Sequence, residues 1–413
     1  MLTGKLGWSM AKRMVRGAKT DEQDVNRAVE KAEDLVAKLG GLKGLVMKAG
    51  QIASYMPSGL PPEAQKVLAK LQSASPPLAF ESIAAVIEEQ LGAAPDDLFD
   101  DFARAPFAAA SIGQVHAARL RDDGGEVAVK VQYPGIEGLI KGDLKTVGLL
   151  VRMSTLGAAV DGGALHEELA ARLVEECDYV READNQALFA ALLAKIDGAH
   201  VPAVVRSRSR ARVLTTARSR AMRFDDFVAR APQDAKDRAG AIIFRTCWES
   251  LYRHCIYNAD PHPGNYLLDL RGDVTFLDFG CVRRFDPAMI ATWKATARAI
   301  LGGDRAGFRR GFEALGFVGR ARKFDWDAQW DAMQYVYRPL TEPDFRFTPE
   351  YVRGSFGPLM FDNPNRLRIA MPPEWLFLNR LQWGLNAVLA ELRAHAPWGE
   401  MFRAVAYGPE APA

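Results

Sequence analysis

The chain has little that would place it inside a membrane or in an oxidising compartment. None of its apolar runs reaches the roughly 18 residues that a transmembrane helix needs, and its first residues lack the apolar stretch of a signal peptide. It has only four cysteines, which form neither a Cys-x-x-Cys pair nor a cluster with histidine. We therefore expect reduced thiols, no structural zinc, and a cytoplasmic location that includes peripheral contact with a membrane.

The net charge is also small. Lys and Arg number 53 and Asp and Glu 51, so the formal charge of +2 gives no reason to expect a nucleic-acid partner. No internal repeat or low-complexity tract interrupts the 413 residues, which are enough for two or three structural units. The one strongly basic stretch, Arg206 to Arg212, most simply decorates a turn between strands; contact with an anionic head group or a partner is the alternative.

Residues 1–105 have the hydrophobic spacing of helices. Apolar residues recur at helical intervals from Val25 to Leu39, after the capping pair Thr20 and Gln23. The sequence predicts further helices over Leu42 to Met56, from Pro62 to just before Ser75, and over Phe80 to Leu91. We interpret this part as an all-helical extension.

From residue 106 the pattern becomes that of strands. It predicts one strand from Pro106 to Leu120 and another from Glu126 to Gln132, with Lys130 pointing away from the valine-rich face of the second. A helix from about Leu165 to Ile196 follows, and then short strands near Val201 to Val205 and Val213 to Thr216. We assign residues 106–218 to one lobe and the mostly helical residues 219–413 to a second. The fold class is therefore α+β.

The segment from Asn258 to Gly280 has the spacing of a phosphoryl-transfer site. Asp260 and Asn265 are separated by four residues, as in a kinase catalytic loop, and Asp278 begins an Asp-Phe-Gly triplet. In such a loop one carboxylate lies beside the attacking group, while an amide and a second carboxylate hold Mg²⁺ against the phosphates of ATP. We predict that Asp260 is the catalytic base or water-orienting group, and that Asn265 and Asp278 are the metal ligands.

Lys130 ends a Val-Ala-Val-Lys sequence of the form found in the third strand of kinases, where the lysine grips the α- and β-phosphates. The following helix offers Glu176, Asp178 and Glu182, of which the last two share a face. We assign Glu182 to an ion pair with Lys130. An exposed acidic helix face is the alternative.

No glycine-rich loop precedes this strand. Its place is taken by Ala108-Ala109-Ala110-Ser111-Ile112-Gly113, and alanine tolerates positive φ poorly, so we expect the nucleotide to be held differently. Asn258 and Ala259 stand where protein kinases have His-Arg before the aspartate, and no Ala-Pro-Glu follows Gly280. A protein substrate is therefore disfavoured.

These features resemble the UbiB family, also called AarF or ABC1-type atypical kinases, which includes mitochondrial proteins that support coenzyme Q synthesis. The resemblance rests on Lys48-Ala49-Gly50-Gln51, on Ala108 to His116, on Glu176-Cys177-Asp178 and on Val213 to Thr216. It implies a bilobal protein-kinase-like fold in which the helical extension covers the peptide site. It also implies that Lys48 and Gln51 reach the active site and that Glu176, Asp178 and the alanine-rich loop lie beside the nucleotide. One departure is Asn258, where many bacterial members have histidine.

We therefore interpret the chain as an atypical kinase or ATPase that uses ATP and Mg²⁺, with a lipid or prenyl-quinone intermediate as a candidate partner in isoprenoid-quinone or other lipid metabolism. Two alternatives remain open. One is a small-molecule kinase of the aminoglycoside or choline type, against which Lys48 to Gln51 and the alanine-rich loop argue. The other is a low-turnover, nucleotide-gated scaffold for a lipid-enzyme complex.

Overall fold

The computed structural model describes residues 78–110, 112–138, 174–258, 261–319, 323–355, 357–366, 368–370 and 372–408. Of the helices predicted for the extension, the one from Phe80 to Leu91 lies within these ranges and is confirmed. The other helices predicted for the extension, and the first part of the helix predicted from Leu165, lie outside the described residues.

The described strands lie between residues 99 and 284, interspersed with helices, and helices make up most of the chain after them. In chain order the strands are β1 (Phe99–Asp100), β2 (Ala108–Ala110), β3 (Gly113–Leu120), β4 (Glu126–Gln132), β5 (Ala199–His200), β6 (Val213–Ala217), β7 (Met222–Arg223), β8 (Ile256–Asn258), β9 (Tyr266–Leu268), β10 (Val274–Phe276) and β11 (Val282–Arg284). The helices are α1 (Phe80–Leu91), α2 (Pro95–Leu98), α3 (Tyr179–Leu193), α4 (Phe224–Arg230), α5 (Gln233–His254), α6 (Pro287–Leu301), α7 (Arg305–Ala314), α8 (Trp326–Thr341), α9 (Pro349–Gly354), α10 (Pro373–Glu391) and α11 (Trp398–Tyr407).

One antiparallel sheet forms the first lobe, in the order β1-β3-β4-β6, with β2 also paired to β3. Strand β4 has the predicted bounds. Its valines are buried against Ile83, Val86 and Ile87 of α1, which leaves Lys130 on the opposite face. Because β1 pairs with β3, residues that we had grouped with the helical extension add a strand to this sheet.

The single strand predicted from Pro106 to Leu120 is wrong. The chain reverses after Ala110, and β2 pairs back on β3 so that Ala110 lies opposite Gly113. At its start β3 runs close to β4, where a Cβ atom on Gly113 would lie 2.2 Å from the carbonyl oxygen of Val131. The strand predicted near Val201 to Val205 is also reduced, within the described residues, to an isolated bridge between Val204 and Thr216.

Helix α5 forms the centre of the second lobe, and most of its apolar residues are buried. Beside it lie a sheet of order β5-β10-β9-β7 and the pair β8-β11. The β8-β11 pair brings Asn258 opposite Val282, and the β9-β10 hairpin brings Tyr266 opposite Phe276. The β9-β10 hairpin therefore brings the chain that leads to Asp278 back beside the chain that follows Asn265. The β8-β11 pair holds together the two ends of the segment from Asn258 to Val282.

Candidate nucleotide and metal site

Lys130 and Glu182 form a closed ion pair between β4 and α3. Lys130 Nζ lies 2.6 Å from Glu182 Oε1 and 2.9 Å from Oε2, although 52 residues separate them in the sequence. The Glu182 side chain is 4% exposed and that of Lys130 is 19% exposed. The structure thus makes the predicted pair, and the exposed acidic helix face is excluded for Glu182.

Burial and neighbouring charges shift the pKa values of both partners. Burial alone would lower the pKa of Lys130, but the charges of Glu182 and Asp278 outweigh it and raise that pKa. Burial raises the pKa of Glu182, while the lysine acts in the opposite direction. Lys130 is therefore held as a cation, next to two carboxylates, where phosphate oxygens would find a fixed positive charge.

The first turn of α3 positions this pair. Asp178 caps the helix, since its Oδ1 accepts hydrogen bonds from the amides of Val180 and Arg181 at 3.0 and 3.3 Å. Tyr179 is fully buried, and Lys130 Nζ lies 4.9 Å from the centre of its ring. Glu176 lies near enough for its charge to add to the rise in the pKa of Glu182. The described geometry thus gives Asp178 a capping role, and its contact with nucleotide stays a prediction.

Asp278 lies near Lys130 and Glu182, and hydrogen bonds hold both its side chain and its backbone. Its Oδ1 accepts a hydrogen bond from the amide of Gly280 at 2.9 Å, and its carbonyl accepts one from Asn258 Nδ2. The carbonyl of Phe279 accepts another from Asn185 Nδ2 at 3.1 Å. A Cβ atom placed on Gly280 would lie 3.3 Å from Asp278 Oδ1 and 3.7 Å from Glu182 Oε2, so both carboxylates border one small space.

Asn265 and Asp278, together with Asn258, line a common cavity of about 20 Å³, whose remaining wall is mostly apolar and aromatic and includes Phe189 and Phe279. This volume is that of about one water molecule. Among the described residues, no group of three or more His, Cys, Asp or Glu side chains is arranged to hold a metal ion. The two oxygen-bearing side chains nonetheless fit Mg²⁺, which usually takes one or two carboxylates and completes its shell with water and phosphate oxygens.

The loop before Asn265 is held by local contacts. His262 Nδ1 accepts a hydrogen bond from the amide of Gly264 at 3.0 Å, so the ring caps the short 3₁₀ helix Pro263–Asn265. Pro261 is buried against α10, where a Cβ atom on Gly384 would lie 2.4 Å from Pro261 Cγ. These contacts give His262 a structural role in this loop.

Four predicted site residues, Lys48, Gln51, Ser111 and Asp260, lie outside the described residues. Ala108, Ala109, Ala110 and Gly113 form the β2-β3 hairpin, next to the sheet strand that carries Lys130. The basic stretch from Arg206 to Arg212 is tied down by protein partners: Arg206 pairs with Asp184, Arg208 with Asp122 and Arg212 with Glu89. These pairs favour the structural interpretation of that stretch.

Sequence reasoning missed Asn185, Tyr179 and the hydrogen bond of Asn258. The first two lie three residues on either side of Glu182, a spacing that puts them on the same side of a helix as the ion pair. That spacing could have singled them out. Nothing in the sequence indicates that Asn258 bonds to Asp278, because the contact depends on how β8 and β11 pair.

The comparison with known families decides the classification. The profile of the ABC1 atypical kinase-like domain matches residues 70–310, which is more than half of the chain. The chain belongs to this family. It is therefore a kinase-like enzyme of the phosphotransferase class, with an acceptor that is not identified.

Individual relatives agree with the family assignment. The atypical kinase COQ8B, mitochondrial, of Rattus norvegicus is 31% identical over 382 residues, which cover 90% of this chain and 71% of the relative. The atypical kinase COQ8, mitochondrial, of Saccharomyces cerevisiae is 29% identical over 382 residues, 89% of this chain and 74% of the relative.

A solved structure extends the agreement to three dimensions. The protein Rv3197 of Mycobacterium tuberculosis, solved in complex with erythromycin, superposes with a TM-score of 0.66 and 28% identity. The match covers 95% of this chain and all of the other. In the part of our chain that the structure describes, no helix is both long and apolar enough to cross a membrane.

Proposed function

We propose that this ABC1-family chain binds Mg-ATP at the cluster of Lys130, Glu182, Asn265 and Asp278, and that it hydrolyses ATP or transfers its γ-phosphate to a small or lipid-linked acceptor. The observation that carries the proposal is the convergence of these four side chains from β4, α3 and the two ends of the β9-β10 hairpin. Phosphoryl transfer needs a cation on the phosphates and oxygen ligands for the metal, and this cluster offers both.

In this proposal each residue has one task. Lys130, held by Glu182, binds the α- and β-phosphates, and Asn265 and Asp278 hold Mg²⁺, which would neutralise charge on the phosphates. Asp260 orients the attacking hydroxyl or water. Lys48 and Gln51 of the helical extension limit access, so that a peptide does not reach the site.

The pathway is part of the same proposal. The relatives described as COQ8-type atypical kinases support a role in ubiquinone biosynthesis or in other isoprenoid-lipid metabolism. The partner is then a lipid or prenyl-quinone intermediate, met at a membrane surface to which the protein binds peripherally.

The test is Mg²⁺-dependent phosphate release from ATP by the purified chain, with and without liposomes that contain an anionic lipid. Asp278→Asn should reduce release to background, because it removes the carboxylate ligand of the metal. Asp286→Asn is the matched control, since Asp286 only caps α6 and asparagine caps equally well. A liposome effect would support a lipid-linked role.

A contrary result would be informative. If nucleotide binds but release by the unmodified chain does not exceed that of Asp278→Asn, with or without liposomes, the enzyme proposal fails. The nucleotide-gated scaffold would then be the better account.

A further inference from the structure

A second and larger cavity lies among the helices of the second lobe. Its volume is about 160 Å³, and none of its lining residues belongs to the cavity beside Asp278. Side chains of α6, α7, α8 and α10 supply most of its wall. The cavity is partly open to solvent, so a ligand can enter it, and its volume is close to that of an apolar cavity of about 150 Å³ that binds benzene.

Aromatic rings form much of the wall, and they support one another. Trp293 and Trp375 have ring centres 4.8 Å apart, and Phe317 lies 4.6 Å from Trp375. Phe312 stacks on Phe317 at 4.7 Å with an angle of 26° between the rings. Rings held by neighbours in this way keep the cavity open, and their faces and edges favour a further ring as the occupant.

The wall also carries three amide side chains. Gln329 is buried, and its Oε1 accepts a hydrogen bond from Asn363 Nδ2 at 3.2 Å, so the orientation of that amide is fixed. Gln382 and Asn386 lie four residues apart on one face of α10 and are half-buried. No described residue hydrogen bonds to either of their side chains, so both amides keep donors and acceptors for a ligand.

The described part of this cavity wall is uncharged. None of the described residues that line it is Asp, Glu, Lys, Arg or His. A carboxylate or ammonium group would lose its hydration there without gaining an opposite charge, and burying an unpaired charge is costly. This lining favours a neutral occupant.

We propose that this cavity binds an uncharged amphiphile: a molecule whose single ring, or an apolar segment of that size, contacts the aromatic wall, and whose hydroxyl or carbonyl group hydrogen bonds to the amides. This site is separate from the nucleotide cluster. Its existence does not depend on the function proposed above.

The probe is 4-phenyl-1-butanol, which has a ring, a short chain and a hydroxyl, and its charged counterpart is 4-phenylbutanoate at pH 8. Binding to the full chain is followed by calorimetry and by the fluorescence of the tryptophans. We expect the alcohol to bind with a stoichiometry of one, and the carboxylate to bind at least tenfold more weakly. Equal binding of the two, or no binding of the alcohol up to its solubility limit, would overturn the proposal.

A cavity-filling variant locates the site. Met333 lines the cavity, and Met333→Trp should weaken binding of the alcohol at least tenfold. Met289→Trp is the matched control, because Met289 is equally half-buried but packs against the main core outside the cavity. If Met333→Trp does not fold, as judged by circular dichroism, Val336→Phe takes its place. Unchanged affinity in a folded cavity variant would refute the assignment.

Discussion

Asn258 donates a hydrogen bond from its side-chain amide to the main-chain carbonyl of Asp278, 20 residues later. Asn258 ends β8, and its partner in β11 is Val282, so the bond lies beside the β8-β11 pair, next to the proposed metal ligand Asp278. Asn258, where the resemblance led us to expect histidine, thus has a side chain that holds the backbone of Asp278.

We predict that Asn258→Leu weakens the metal site. Leucine is close in size but cannot donate, so the carbonyl of Asp278 loses its partner and the carboxylate becomes less well fixed. One hydrogen bond contributes about 0.5–1.5 kcal/mol, so the Mg²⁺ concentration for half-maximal ATP binding should rise about 2- to 10-fold. The measurement is a Mg²⁺ titration of ATP-induced thermal stabilisation.

Asn185→Leu is the companion variant, because Asn185 holds the adjacent carbonyl of Phe279. The two side chains fix neighbouring peptide groups, so the double variant should show a non-additive effect. An unaltered Mg²⁺ requirement in both single variants would mean that these bonds only stabilise the fold.

A second prediction concerns the ion pair of Lys130 and Glu182. Lys130→Met should abolish ATP binding and also lower the free energy of unfolding by about 3–5 kcal/mol, because it leaves Glu182 as an unpaired charge in a buried site. Urea unfolding and a fluorescent-nucleotide titration measure the two effects.

The double variant Lys130→Met with Glu182→Gln separates them. Removing the stranded charge should restore much of the lost stability without restoring nucleotide binding. If the double variant is as unstable as Lys130→Met alone, the loss comes from packing and not from the unpaired carboxylate.

A third prediction concerns the hairpin that carries the alanine-rich sequence. Gly113→Ala should destabilise the first lobe by about 1–3 kcal/mol, because the new Cβ atom would lie 2.2 Å from the carbonyl oxygen of Val131 and force β3 away from β4. ATP affinity should fall with it, since Lys130 precedes Val131.

The matched control is Gly138→Ala. No described atom outside its immediate neighbours lies within 4 Å of a Cβ atom at that position. Its stability should be unchanged or slightly higher, because alanine favours the helical conformation found there. Equal stability of the two variants in urea would contradict the steric argument.

A fourth prediction is a pH dependence of stability due to His116. The ring is fully buried between Gln114 and the carbonyl of Ala103, and burial lowers its pKa below the ordinary value of 6.5. The unfolded chain therefore takes up a proton first as the pH falls, and the native state loses stability below about pH 6.5, by at most about 1.4 kcal/mol per pH unit.

Replacing the ring tests this assignment. His116→Gln should show a smaller loss of unfolding free energy than the unmodified chain between pH 7 and pH 5, in urea titrations at each pH. Parallel curves for the two proteins would assign the acid sensitivity to other groups.

The sequence by itself determined the kinase-like family and much of the secondary structure, and it predicts the chemistry of the site. The alternation of valines fixed β4 and the direction of Lys130, because successive side chains of a strand point to opposite faces. The four-residue interval between Asp260 and Asn265, and the triplet that begins at Asp278, predict a phosphoryl-transfer segment because that chemistry needs those groups in that order.

Only the tertiary structure decided which groups meet. The hairpin at Ala110 arises from the pairing of β2 with β3, and the bond from Asn258 to Asp278 depends on the pairing of β8 with β11. The neutral aromatic cavity joins residues of α6, α7, α8 and α10, whose spacing in the sequence indicates only that each helix has an apolar face. Local spacing specifies elements, whereas contacts between distant segments arise when those elements pack.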